Sequence, residues 1–253
     1  MRELERDSSS DDVWCPRLAI VGGGRLGGAL ASALRDAGYR IAGPLGRGAD
    51  ASGTDAVLLC VPDDEIAHAA LFIAPGVVVG HCSGATGLDT LEPHERFSLH
   101  PLMTVPAEGA RFAGAGAAIA GSTPRALQLA GQLAGALGMN AVVIADEDRA
   151  AYHAAASIAS NFLVTLEAAA ERLAASAGAP PKLLVPLVRA TVENWALLGA
   201  QGALTGPVAR GDEATVARQR AAVAARAGEL LPVFDAMADA TRALARAREE
   251  VRA

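Results

Sequence analysis

Gly22, Gly24 and Gly27, in the run Leu18-Ala-Ile-Val-Gly-Gly-Gly-Arg-Leu-Gly-Gly-Ala-Leu30, fall on the G-x-G-x-x-G spacing. Each has a physical task. Gly22 permits a tight turn, Gly24 lets a pyrophosphate approach the backbone, and Gly27 lets a helix pack closely on a strand. Arg25 and Leu26 complete the turn, and the helix that follows offers free N–H groups and a positive dipole end to anionic phosphates. A glycine-rich turn without a ligand has the same spacing; the apolar run before it and the helix-forming run after it favour a dinucleotide site. About 20 residues further on, such a unit places a carboxylate for a ribose 2′-OH or an arginine for a 2′-phosphate. The second strand is predicted over 39–42, which makes Arg47 the nearest candidate, with Asp50 and Arg25 as competitors. The residues therefore favour NADP, although a solvated loop arginine is the alternative reading of Arg47.

Three later blocks carry further candidates. In Ser98-Leu-His-Pro-Leu-Met-Thr104, His100 is predicted in a loop after the fourth strand, where a histidine donates a proton or is tied to backbone. In Tyr152-His-Ala-Ala-Ala-Ser-Ile-Ala-Ser-Asn161, residues His153, Ser157 and Asn161 stand at i, i+4 and i+8, a polar stripe without long charges on a helix. That stripe suits the wall of a polar cleft, or hydrogen bonds between core helices. In Ala203-Leu-Thr-Gly-Pro-Val-Ala-Arg-Gly-Asp212, Arg210 can grip a carboxylate through two parallel hydrogen bonds, beside Thr205 and Asp212. Asp212 is equally a helix N-cap, with Arg210 paired to it. No His or Cys pair has a structural-zinc spacing, so no metal site is expected.

Behind these residues the chain changes pattern near residue 146. Before it, strand-like runs over 56–61, 77–79, 117–120 and 141–144 alternate with helical runs over 65–73 and 124–137. Strands alternating with helices predict a parallel sheet covered on both faces, with ligand beyond the carboxyl ends of its strands. That rule makes Val61-Pro62-Asp63 and Cys82-Ser83-Gly84 rims of the cofactor cleft. After 146 only helical patterns follow, broken at 178–181, 205–207 and near 231–232. The reading is α/β: a disordered tail over 1–16, a Rossmann dinucleotide-binding domain over 17–145, and an all-α domain over 146–253.

At 253 residues the chain has room for two modest cores. Its formal net charge of -6 argues against nucleic acid or an anionic membrane as partner. No charge-free apolar run is long enough to span a bilayer. Cys15, Cys60 and Cys82 give neither a zinc nor a disulfide pattern, and the serine-rich, charged start is not a secretory signal, so a cytoplasmic location is expected.

Taken in order, Gly-Gly-Gly-Arg-Leu-Gly, Val-Pro-Asp-Asp, His-Cys-Ser-Gly, Ser-Leu-His-Pro-Leu, Tyr-His-Ala-Ala and Ala-Leu-Thr-Gly-Pro-Val-Ala-Arg-Gly-Asp resemble one bacterial group. These are Rossmann-like proteins with a C-terminal helical domain of unknown function, in the 6-phosphogluconate dehydrogenase-like superfamily beside pyrroline-5-carboxylate, prephenate and ketopantoate enzymes. The resemblance runs from Leu18 to about Glu229. It implies an NADP-linked oxidoreductase of a small carboxylate, a homodimer through the helical domain, and ketopantoate as the first substrate to consider. The superfamily often carries Lys-x-x-x-Asn on the first helix of the second domain. Here Asn161 matches the asparagine while Ser157 stands in place of the lysine. The lysine mechanism therefore does not transfer.

The resulting expectation is NADPH across Gly22 to Gly27, its 2′-phosphate near Arg47 and its nicotinamide near Val61, Pro62 and Ser83. The carboxylate is held by Arg210 and Thr205, His153 or His100 gives the proton, and Asn161 aligns the oxygen. Two alternatives stand beside it. One is a non-catalytic NADP sensor or partner protein; the other is an enzyme of a cyclic imine or prephenate-like acid.

Overall fold

The computed structural model describes residues 16–106 and 109–252; the predicted tail lies, apart from Pro16, outside them. The chain divides into two compact units between Ser157 and Ile158.

The first unit is built on a seven-stranded sheet. Its strands are β1 (Leu18–Val21), β2 (Ile41–Leu45), β3 (Ala56–Leu59), β4 (Val78–His81), β5 (Glu95–Leu102), β6 (Gly116–Gly121) and β7 (Asn140–Val143), in the order β2-β1-β3-β4-β5-β6-β7. The helices are α1 (Arg25–Asp36), α2 (Ile66–Ala70), α3 (Pro124–Ala136) and α4 (Arg149–Ser157). Leu18, Ile20 and Leu58 pack on one face of the sheet with Leu30, Leu34 and Leu133 of the helices. Ala19, Val21, Val57 and Leu59 pack on the other with Ile66 and Leu91. Burial on both faces explains why these strands are continuous apolar runs rather than alternating ones. Thr123 caps α3 by accepting from the Ala126 N–H at 3.1 Å, and Pro124 occupies its first turn, where the missing N–H costs nothing.

The sheet corrects the sequence reading in three places. It is mixed, because β6 runs antiparallel to β5 and β7 follows β6 in parallel. His100 belongs to β5, opposite Ala118, and not to a loop; β5 contains a proline, a signal that speaks against a central strand. The second strand covers Ile41–Leu45 rather than 39–42, since its pairing with β1 starts at Leu18 and Ile41 and carries on to Leu45.

The second unit is helical: α5 (Leu163–Ser176), α6 (Val185–Ala203), α7 (Glu213–Arg226) and α8 (Leu231–Arg252). Asp212 Oδ1 accepts from the Thr215 N–H at 3.0 Å and starts α7. Arg220 donates from Nε and Nη2 to the two carboxylate oxygens of Asp235, each at 2.8 Å, and Arg242 reaches Glu213, so α7 and α8 are tied by two ion pairs. Helix α6 breaks at Gly199 and exposes Leu187, Trp195, Leu197 and Leu198. The stretch Pro181–Arg210 is long and apolar enough by composition to cross a membrane, but Lys182, Arg189 and Glu193 interrupt it.

Candidate functional site

The glycine turn leaves β1 at the carboxyl edge of the sheet. Gly22 has φ of +109°, a conformation that favours glycine, and its N–H donates to Leu45 O at 2.9 Å. A Cβ there would stand 2.2 Å from the Cys60 carbonyl oxygen, and one on Gly27 would stand 1.9 Å from the Gly22 carbonyl oxygen. Both positions are closed by the chain's own packing.

Gly24 differs. It precedes α1 with ordinary φ of -65°, and a Cβ on it would meet nothing within 4 Å. Among the described residues no side chain caps α1 and its first turn holds no acid, so the first N–H groups of the helix have no side-chain partner. Arg25 and Leu26 occupy the first turn of α1, Arg25 exposed. Arg47, exposed just past β2, lies 3.7 Å from Glu65 Oε1. Asp50 is engaged in its own turn, accepting from the Ser52 N–H at 3.1 Å.

Further along the same edge, the turns after β3 and β4 are joined. Ser83 Oγ donates to Asp63 Oδ2 at 2.7 Å, and it accepts from the Thr86 and Ala85 N–H groups at 2.9 and 3.2 Å. The Ser83 N–H donates in turn to His81 Nδ1 at 3.2 Å. Burial, followed by the nearby Arg149 charge, pushes the His81 pKa down to about 4. His81 is thus a neutral acceptor that shapes the loop from beneath. Val61 is half-buried and Pro62 exposed, just before Asp63.

The deepest charge is Arg149, 2% exposed at the start of α4. Its Nε donates to Asp146 Oδ1 at 2.6 Å and its Nη2 to Ser98 Oγ at 2.5 Å. Asp146 Oδ2 also accepts from the Leu88 N–H at 3.0 Å. One turn on, Tyr152 Oη lies 2.9 Å from His100 Nδ1. The ring centroids of His100 and His153 are 6.3 Å apart. Burial first, then the charges of His153 and Arg149 against the opposing Asp63, take the His100 pKa down to about 4. That shift favours the uncharged ring at neutral pH.

The first unit therefore brings together Ser83, His100 and His153 of the predicted residues with Asp63 of the predicted rim, and adds Arg149 and Tyr152, which sequence reasoning passed over. Tyr152 stood beside His153 in the quoted motif. Arg149 sat in a charged turn that looks solvated from sequence alone. Among the described residues no group of three His, Cys, Asp or Glu is placed to hold a metal.

The polar stripe is altered. Ser157 closes α4, and a π-helical turn spans Ile158–Phe162, so the i, i+4, i+8 ladder does not continue to Asn161. Within the helix, Thr165 Oγ1 donates to the backbone carbonyl of Asn161 at 3.0 Å. A π turn adds a residue and re-aims side chains, and sequence periodicity gives no sign of it. In the second unit Thr205 and Arg210 are exposed, Arg210 closing a short turn over Val208–Arg210, and Asp212 is the cap of α7.

A Rossmann-like unit with an open glycine turn, followed by a helical unit, defines a two-unit chain of the dinucleotide-binding fold. Residues 115–241, about half of the chain, match the family described as a domain of unknown function (DUF2520), and the chain belongs to that family. No curated protein sequence matches it. Protein TM1727 from Thermotoga maritima is 25% identical with a TM-score of 0.78, over 92% of this chain and 99% of that one. BF3122 from Bacteroides fragilis, a proposed NADP oxidoreductase, is 19% identical with a TM-score of 0.75, over 89% and 97%. A reductive aminase from Aspergillus terreus, solved with NADPH and ethyl-5-oxohexanoate, is 17% identical with a TM-score of 0.63, over 90% and 94%. The likeness to the last two is one of fold.

Proposed function

We propose that the chain is an NADPH-dependent oxidoreductase that reduces the carbonyl or imine carbon of a small carboxylate, with ketopantoate the first substrate to test. One observation carries this reading: Gly22 and Gly27 are closed by the chain itself, whereas among the described residues nothing fills the space at Gly24 or caps the start of α1. A pyrophosphate fits both features. The NADP oxidoreductase proposal for BF3122 and the NADPH bound by the reductive aminase support the same nucleotide.

The residues that hold it are Gly22, Gly24 and the first turn of α1, with Arg47 for the 2′-phosphate and Val61, Pro62 and Ser83 along the edge. When bound, the reduced nicotinamide supplies a hydride. The chain's own residues then do the rest. Asp63 and Ser83 fix the rim, Arg149 locks α4 against β5, and α4 presents His153 and Tyr152. Arg210 and Thr205 remain the proposed grip for the carboxylate.

A second copy of the chain is the proposed partner. Leu197 is 82% exposed and Leu187 64% on the same uncovered helix, an apolar surface of the kind that marks an interface.

NADPH consumption by the purified chain with ketopantoate, NADH run alongside, tests the reading. Turnover preferring NADPH is expected. Absence of nucleotide binding, measured by quenching of protein fluorescence, overturns it.

A further inference from the structure

We infer that Tyr152, not either histidine, gives the proton that completes reduction, and that His100 is the residue that positions it. The inference rests on the reductase reading above. Three observations carry it. Tyr152 Oη and His100 Nδ1 are 2.9 Å apart, bridging α4 and the carboxyl end of β5. The His100 ring lies against Gly84, where an added Cβ would come within 2.8 Å of Cε1, so a glycine holds the ring's place at the rim formed by Ser83. Arg149, anchored on Ser98 and Asp146, fixes the turn of α4 from which Tyr152 projects.

Charge decides between the three candidates. His100 is uncharged at neutral pH, and the groups around it, Arg149 and His153 against Asp63, leave it so. It can donate through Nδ1 to the phenol oxygen, which frees the phenol proton to point away. Burial raises the Tyr152 pKa above its usual value while Arg149 opposes this, so the phenol keeps its proton across the working pH range. His153 is exposed and has no hydrogen bond to orient it among the described contacts.

The step balances as follows. The substrate carbon gains a hydride from the reduced nicotinamide, and the π electron pair moves to the heteroatom. That atom forms its new bond to the Tyr152 proton as the phenol O–H bond breaks. The phenolate, steadied by the Nδ1–H of His100, then takes a proton from water, which leaves as hydroxide, and His100 stays neutral throughout. One proton and one hydride enter in all.

Two measurements on the full chain test this. The first needs no substrate. The sequence holds two tyrosines, Tyr39 and Tyr152, so the ultraviolet signal of tyrosinate, compared with Tyr152→Phe, isolates the Tyr152 titration. His100→Ala is expected to move that midpoint, and His100→Asn, which keeps a donor near the Nδ1 position, to move it less. A midpoint indifferent to His100 overturns the pairing.

The second measurement is turnover of NADPH with ketopantoate and with pyrroline carboxylate. Tyr152→Phe is expected to lower kcat by about 10²–10⁴-fold with NADPH affinity unchanged. Wild-type kcat is expected to stay flat through neutral pH, where a histidine acid of ordinary pKa, about 6.5, loses its proton. A Tyr152→Phe enzyme within about threefold of wild type overturns the inference and leaves the reductase reading standing. A wild-type chain that binds no NADPH overturns both. If neither compound is turned over, the phenol titration decides alone.

Discussion

Arg149 Nη2 lies 2.5 Å from Ser98 Oγ, which locks the first turn of α4 to the interior of β5. Both residues are buried, so this bond holds a guanidinium away from water and relies on Asp146 for charge balance. Ser98→Ala leaves part of a buried cation unsatisfied, at a cost of about 1.5–3 kcal/mol. The denaturant midpoint is expected to fall accordingly, measured with the slope held constant to show that unfolding stays cooperative. A surface serine-to-alanine change would leave it within error.

His81 and His100 make stability fall on mild acidification. Their folded pKa values, about 4, lie below the ordinary histidine value, so the unfolded chain takes up protons first as pH drops. Stability is full above about pH 6.5 and declines toward about pH 4, where the folded rings charge too, each ring contributing on the order of 3 kcal/mol. Asp146 acts lower. Burial works to raise its pKa, but Arg149, the Leu88 N–H and His81 together take it below the usual carboxylate value. Its contribution is present above about pH 4 and lost below. Thermal unfolding across this range is expected to show a shallower slope in His100→Asn than in wild type.

The glycines of the turn separate a folding role from a binding role. Gly27→Ala drives a Cβ into the Gly22 carbonyl and is expected to lower Tm and nucleotide binding together. Gly24→Ala meets nothing among the described residues, so it is expected to fold within about 1 kcal/mol of wild type. Its methyl does occupy the space proposed for the pyrophosphate, and NADPH affinity is expected to drop at least tenfold, about 1.4 kcal/mol. Paired calorimetry and thermal melts check the split; an intact affinity would remove the phosphate from this site.

Arg47 reports on nucleotide choice. A charge-assisted hydrogen bond to a 2′-phosphate contributes about 1.5–3 kcal/mol, so Arg47→Ala is expected to weaken NADPH by about tenfold or more and leave NADH unchanged. If Arg25→Ala shows that pattern instead, the selectivity lies within the glycine turn.

The apolar face of α6 bears on assembly. Leu197 is 82% exposed in the single chain. Leu197→Glu places a charge on the surface proposed for a second copy, where burying it unpaired is costly. Light scattering is expected to show wild-type dimers and a monomeric variant; monomeric wild type would refute the proposed partner.

What could be seen in the sequence follows from which signals are local. The glycine turn, α1, β1, β3, β4 and α3 arise from apolar runs bounded by turn residues, and a strand buried on both faces leaves that mark in composition. The cap at Asp212 is equally local.

By itself, then, the sequence determined that strands and helices alternate first and helices alone follow, and it placed the glycine turn, because backbone geometry and short-range periodicity are written in neighbouring residues. It did not determine that β6 reverses direction, because strand pairing depends on partners far along the chain. Nor did it show that His100 is a strand residue touching Tyr152, 52 positions away. The protonation of His100 and the burial of Arg149 were decided by the tertiary structure alone. Desolvation depends on what surrounds a group in space, and a charged residue looks the same in sequence whether it faces water or Ser98.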